Sequence, residues 1–127
     1  QNYHAFPYMH EEMGAALAAA DLVLSRAGAS VLGEFPYFEL PAILVPYPYA
    51  WRYQKVNAET LTKRGAALLI EDHLLADTLF GTVDKLINSS EVLLAMRSAM
   101  ASLKNPDAAG KIAAQLFEIA GETHDQY

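Results

Sequence analysis

The chain has no cysteine, which excludes both a disulfide framework and a thiolate metal site and fits a reducing compartment. Its four histidines, His4, His10, His73 and His124, are too scattered to form an HxxxH or HExxH ligand pair, and no DxD pair is present. No metal and no other cofactor is therefore expected. Long hydrophobic runs are also lacking: nothing approaches the roughly 18 apolar residues of a membrane span, and the opening QNYHAFPYMH has neither the basic flank nor the apolar stretch of a signal peptide. Basic residues are few, 9 Lys and Arg against 15 Asp and Glu, so the net charge is −6 and the pI about 5.0. That balance argues against nucleic acid as a partner and against a general anionic-membrane surface. A cytoplasmic location is expected.

What is present suits one globular domain: 127 residues, 53% hydrophobic and 19% charged. The few basic residues are uneven, with Arg52, Lys55, Lys63 and Arg64 close together; they form either a local anion site or a solvated helix face.

Periodicity divides the chain into alternating elements. HEEMGAALAAA (10–20) spaces Met13, Leu17 and Ala20 helically, with Glu11 and Glu12 in the first turn. DLVLS (21–25) is a short apolar run suited to a strand buried on both faces. RAGAS (26–30) reads as a turn into a helix that carries Gly33 and Pro36 in its interior. AILVPYP (42–48) is a second buried strand, ended by its prolines. A helix over 52–64 pairs Glu59 with Lys63 and stops at Gly65, and AALLI (66–70) is a third strand. Three helices follow, marked by Leu79, Val83 and Ile87, by Leu93, Met96 and Met100, and by Ile112, Leu116 and Ile119. The last is expected to open with Asn105 as cap, Pro106 at the first position and Asp107 complementing the dipole. Strands alternating with helices imply parallel βαβ units, so the fold class is α/β: about three parallel strands with flanking helices and a helical C-terminal tail, half of a Rossmann-like domain.

Two segments could carry chemistry. SRAGASVLGE (25–34) places a small-residue turn before a helix, where unpaired backbone N–H groups suit a diphosphate. Gly28 allows close approach, and a carboxylate at Glu34 can accept two hydrogen bonds from a ribose diol. The plain alternative is a glycine-containing turn and a surface glutamate. PYPYAWRYQKVNAETL (46–61) places Arg52, Tyr53, Gln54 and Asn57 after the second strand, at the carboxyl end where open α/β sheets bind ligands. Gln54 could read sugar hydroxyls; alternatively Asn57 is a cap, and Trp51 and Tyr53 are packing.

In combination, ADLVLSRAGAS, LPAILVPYP and YQKVNAETLTKRGAALLIED resemble the C-terminal donor domain of MurG-type glycosyltransferases, the bacterial enzymes that convert lipid I to lipid II. The likeness covers roughly residues 8 to 120. It implies a two-domain GT-B fold of which residues 1–127 are part of the C-terminal, donor-binding domain. It also implies UDP-N-acetylglucosamine as the ligand, held without metal, and a lipid-linked acceptor bound through an N-terminal domain. Carried over by motif, Glu34 would hold the ribose. Arg26 and the amides of Ala27, Gly28 and Ala29 would face the diphosphate. Met9 would present backbone to the uracil edge and Tyr8 would stack near its face, while Gln54 would contact the sugar hydroxyls with Asn57 close by. The parent enzyme would sit peripherally on the cytoplasmic face of the membrane.

Three positions depart from the family pattern: Tyr53 where a second polar residue usually precedes the glutamine, Glu39 where a glycine usually precedes Leu-Pro, and a bulkier EFPYFEL segment. No residue matches the family's acceptor-activating groups, so no catalytic base is assigned and the chain alone is expected to be inactive. Three other readings stand beside this one: a separate donor-binding subunit of a two-chain transferase, a UDP-sugar-binding module that transfers nothing, and a plain interaction domain in which the Gly28 to Glu34 segment is structural. An edge strand at 21–25 and apolar helix faces carrying Met13 and Leu17 would favour self-association.

Overall fold

A computed structural model describes residues 2–122; His124 lies outside the described residues. The order of elements is α1 (Glu12–Ala19), β1 (Val23–Ser25), α2 (Val31–Tyr37), β2 (Ala42–Leu44), α3 (Trp51–Thr62), β3 (Ala67–Leu69), a 3-10 turn (Asp72–Leu74), α4 (Leu75–Ile87), α5 (Ser90–Ala101) and α6 (Ala108–Glu122). The three strands form one parallel sheet in the order β1-β2-β3, with Val23 opposite Ala42 and Ala42 opposite Ala67. This is the expected α/β half-domain. Among the described residues no helix is long and apolar enough to cross a membrane.

The core follows from the period of two in the central strand, whose three residues are all buried. Ala42 and Leu44 face one cluster with Val31 and Phe35 of α2, Ala58 and Leu61 of α3, and Met100. Ile43 and Val45 face the other, with Leu86 of α4 and Met96. α5 thus feeds both faces of the sheet, four residues apart. Leu17 packs against the first cluster, whereas Met13 on the same helix is largely exposed.

Two expectations need correction. β1 is not buried on both faces, since Leu24 is 46% exposed. The apolar run supplies strand propensity, but β1 is an edge of the sheet, where a residue has a neighbouring strand on one side only. Pro106 and Asp107 precede α6 instead of opening it, and Asn105 accepts a bond from Lys111 Nζ (2.8 Å) rather than serving as the cap.

Two helices end in the same way. Behind α3, Gly65 N–H donates to Thr62 O (3.0 Å) and Ala66 N–H to Leu61 O (3.1 Å); behind α2, Glu39 N–H donates to Pro36 O (3.0 Å) and Leu40 N–H to Phe35 O (2.9 Å). Both are Schellman ends, which need a left-handed residue and bring an apolar residue back onto the helix. Gly65 has φ 72° and Glu39 has φ 54°. The apolar partners are buried in each case, Ala66 and Leu61 at one end, Leu40 and Phe35 at the other. These turns aim the chain into β3 and β2.

Candidate functional site

The carboxyl ends of all three strands lie along one edge of the sheet, and each is followed by polar residues. After β1 comes the Arg26–Ser30 segment. Among the described residues no protein acceptor is bonded to the N–H groups of Gly28, Ala29 or Ser30, while Leu32, Gly33 and Glu34 N–H turn back to Ala29 O and Ser30 O. Gly28 lies outside the left-handed region, and a Cβ built on it meets nothing within 4 Å. The fold alone does not require glycine at this place; the small side chain leaves room beside a row of open donors. Ala27, by contrast, is fully buried in the core.

Glu34 is exposed, one turn into α2, and lines an open cleft of about 420 Å³ with Ser30, Gly33, Tyr37 and Phe38. Tyr8 and Met9 line a different cleft of about 550 Å³, formed by the segment before α1 with Tyr3, His4, Ala5, Phe6 and Met13. The two clefts share no residue. The side chain of Phe38, just past the end of α2, nevertheless stands beside Gly14 of α1.

After β2, Tyr47 N–H donates to Gln54 Oε1 (2.9 Å). This bond fixes the carboxamide of Gln54 with its oxygen inward, leaving the NH₂ as the outward group, a donor only. One turn further along α3, Asn57 Nδ2 donates to Ala27 O (3.1 Å) from a half-buried position. Asn57 therefore braces the first loop from behind. It lies inside α3 rather than at its cap, and its Oδ1 makes no bond to the protein among the described residues.

Arg26 leaves the end of β1 and crosses the end of β2. Its Nη1 donates to Val45 O (3.3 Å) and forms an ion pair with Asp72, and its guanidinium carbon lies 5.4 Å from the centre of the Tyr47 ring. Asp72, which begins the 3-10 turn after β3, was not singled out from sequence. Its place after a parallel strand marks it only as one of many residues at that edge; its pairing with Arg26 depends on the strand order. Two of the four basic residues in and just after α3 are paired with acids, Lys55 with Glu71 (3.4 Å) and Lys63 with Glu59 (3.1 Å), the latter as expected. Among the described residues no group of three or more His, Asp or Glu side chains is assembled.

Residues 1–112 match the model of the glycosyltransferase family 28 C-terminal domain. Two curated relatives carry the name UDP-N-acetylglucosamine–N-acetylmuramyl-(pentapeptide) pyrophosphoryl-undecaprenol N-acetylglucosamine transferase. That of Roseiflexus sp. (strain RS-1) is 42% identical over 89% of this chain and 30% of its own length, and that of Desulforudis audaxviator is 44% identical over 91% and 31%. The crystal structure of MurG from Acinetobacter baumannii superposes with a TM-score of 0.79 at 24% identity, over 89% of this chain and 34% of that one, and shares the fold. The chain thus spans about a third of the length of the proteins it resembles.

Proposed function

This chain belongs to the glycosyltransferase family 28 C-terminal domain family, and on that premise we propose that it is the donor-binding part of an inverting transferase that moves N-acetylglucosamine from UDP-N-acetylglucosamine to a lipid-linked acceptor. The observation that carries this reading is the row of unbonded N–H groups at Gly28, Ala29 and Ser30, with Glu34 one turn beyond and the chain open beside Gly28. Such a row is complementary to an anion, and the carboxylate to a diol. In this reading the Arg26–Ala29 segment faces the diphosphate, Glu34 holds the ribose, and Tyr8 and Met9 receive the uracil. Gln54, held as a donor, meets the oxygen of a sugar hydroxyl.

The reaction is a single displacement. The acceptor hydroxyl oxygen bonds to the anomeric carbon, the bond from that carbon to the diphosphate oxygen breaks, and UDP leaves with the electron pair. The share of this domain is to hold the donor in line and to stabilise the charge that grows on the leaving diphosphate, through the loop amides and the Arg26 guanidinium. In this reading removal of the acceptor proton and binding of the lipid fall to chain beyond this domain, and the parent enzyme works peripherally at the cytoplasmic face of the membrane.

Calorimetric titration with UDP and UDP-N-acetylglucosamine tests the reading. Binding is expected to be weak and indifferent to EDTA, and Glu34→Gln should lose about 1.5–3 kcal/mol, the worth of a hydrogen bond to a charged acceptor. Equal affinity of Glu34→Gln and the parent would remove Glu34 from the ribose.

A further inference from the structure

We propose that Asp72 is a positioning residue for Arg26, holding its guanidinium across the sheet edge in the orientation that receives the ligand's diphosphate; this rests on the donor-binding reading above. Arg26 and Asp72 are 46 residues apart and follow the outer two of the three strands. A long side chain leaving β1 would ordinarily sample many rotamers in solvent, and arginine loses more conformational freedom on ordering than most residues. Here three groups select one path. Val45 O and the Asp72 carboxylate take Nη1, and the Tyr47 ring lies 5.4 Å from the guanidinium carbon. Among the described residues Nε–H and the second amino group have no protein partner, so the held side chain still presents donors to a ligand.

The neighbouring acid cannot substitute for Asp72, because Glu71 is turned to Lys55 on α3. Exposure of the pair matters as well. The side chains of Arg26 and Asp72 are 47% and 34% exposed, which keeps the guanidinium within reach of a ligand and screens the repulsion between Asp72 and an incoming anion. Orientation and charge therefore oppose one another at this residue, and they can be separated. Asparagine keeps the acceptor oxygen that orients Arg26 and removes the charge; alanine removes both.

The experiment uses this chain and its Asp72→Asn and Asp72→Ala variants, with thermal melts to establish that each is folded. Nitrogen-15 relaxation of the Arg26 Nε–H reports side-chain order, and calorimetry with UDP and with inorganic diphosphate reports affinity. The expected result is an ordered Arg26 in the parent and in Asp72→Asn, and a mobile one in Asp72→Ala. UDP affinity should fall roughly threefold to tenfold in Asp72→Ala and be equal or higher in Asp72→Asn, as for the loss of one oriented charged contact. An Arg26 as ordered in Asp72→Ala as in the parent overturns the proposal. So does a mobile Arg26 with undiminished UDP affinity, in which case Asp72 is a counter-charge and nothing more. Absence of UDP and diphosphate binding in the parent itself removes the donor-binding reading of this loop, and the role of Asp72 with it; that outcome differs from the previous two, in which the parent binds.

Discussion

Glu39→Gly should stabilise this protein relative to Glu39→Ala, although neither substitution keeps the glutamate's contacts. Glu39 closes α2 with φ 54°, in a Schellman end whose counterpart at α3 uses Gly65. A residue with a Cβ in that region costs about 1–2 kcal/mol from its crowding against the following carbonyl. Glycine removes that cost but adds roughly 0.4–1 kcal/mol through the greater freedom of the unfolded chain. Both variants also lose the Lys104–Glu39 ion pair, a 3.4 Å contact between side chains 34% and 42% exposed, worth about 0.2–1 kcal/mol at such exposure. The ion pair cancels in the comparison, leaving glycine ahead of alanine by about 1 kcal/mol. Against the parent, Glu39→Gly is close to neutral. Urea denaturation resolves this difference, and thermal melting should separate the two variants by about 4 °C for a domain of this size. Asparagine, which tolerates the left-handed region, should fall between them. Gly65→Ala is the mirror control: φ is 72° and a Cβ would meet nothing within 4 Å, so its loss of about 1 kcal/mol is conformational alone. An alanine at 39 as stable as a glycine would mean that this turn does not hold its left-handed residue in solution.

Gly28→Ala should behave oppositely to Gly65→Ala, raising the unfolding free energy by about 0.4–1 kcal/mol, as for a substitution that meets no neighbour and needs no left-handed backbone, while weakening UDP binding by calorimetry. A large loss of stability there would show that the loop itself needs glycine. Asn57→Asp should cost more stability than Asn57→Ser in chemical denaturation, because a carboxylate cannot donate to Ala27 O and sets a charge against that carbonyl, whereas the shorter serine loses the bond without adding a charge; roughly 1–3 kcal/mol is expected for the aspartate. Equal stability of the two would detach Asn57 from the loop.

The three strands and the order of helices were legible because each strand is a short apolar run, flanked by proline at β2 and preceded by glycine at β3, and the helices keep their apolar period. Glu39 was visible as an anomaly for a related reason: the family pattern calls for glycine there, and its backbone does occupy the conformation that glycine favours. The exposure of Leu24 was not legible. DLVLS has the composition of a doubly buried strand whether or not a neighbour covers it, and only the strand order makes it an edge. Asp72 was missed for the same reason. Its role depends on β1 and β3 flanking β2, so that a side chain from one outer strand can cross to the other, and no local pattern around residue 72 encodes that distance. Asn57 and Gln54 lie three residues apart on one helix and look alike in sequence. Their different duties arise from what each faces: a backbone N–H that takes the oxygen of Gln54, and a buried carbonyl that takes the amide of Asn57.

The placement of glycine separates what the fold needs from what a ligand would need. At Gly65 the backbone demands it; at Glu39 the backbone favours it and the sequence supplies a charged residue instead; at Gly28 the backbone makes no demand, yet glycine is there. Around Gly28 the surrounding groups are tied to one another rather than to it. Asn57 holds Ala27 O, Tyr47 holds Gln54, and Val45 and Asp72 hold Arg26. Each tie joins the end of one strand to a different element, so the loop ends are fixed relative to one another before anything binds. Ordering costs met during folding are not met again on association, which is how a shallow, exposed edge can present several donors at a defined spacing. The open N–H groups at Gly28, Ala29 and Ser30 are the part of this edge left without protein partners among the described residues, and a diphosphate there would complete their hydrogen bonding.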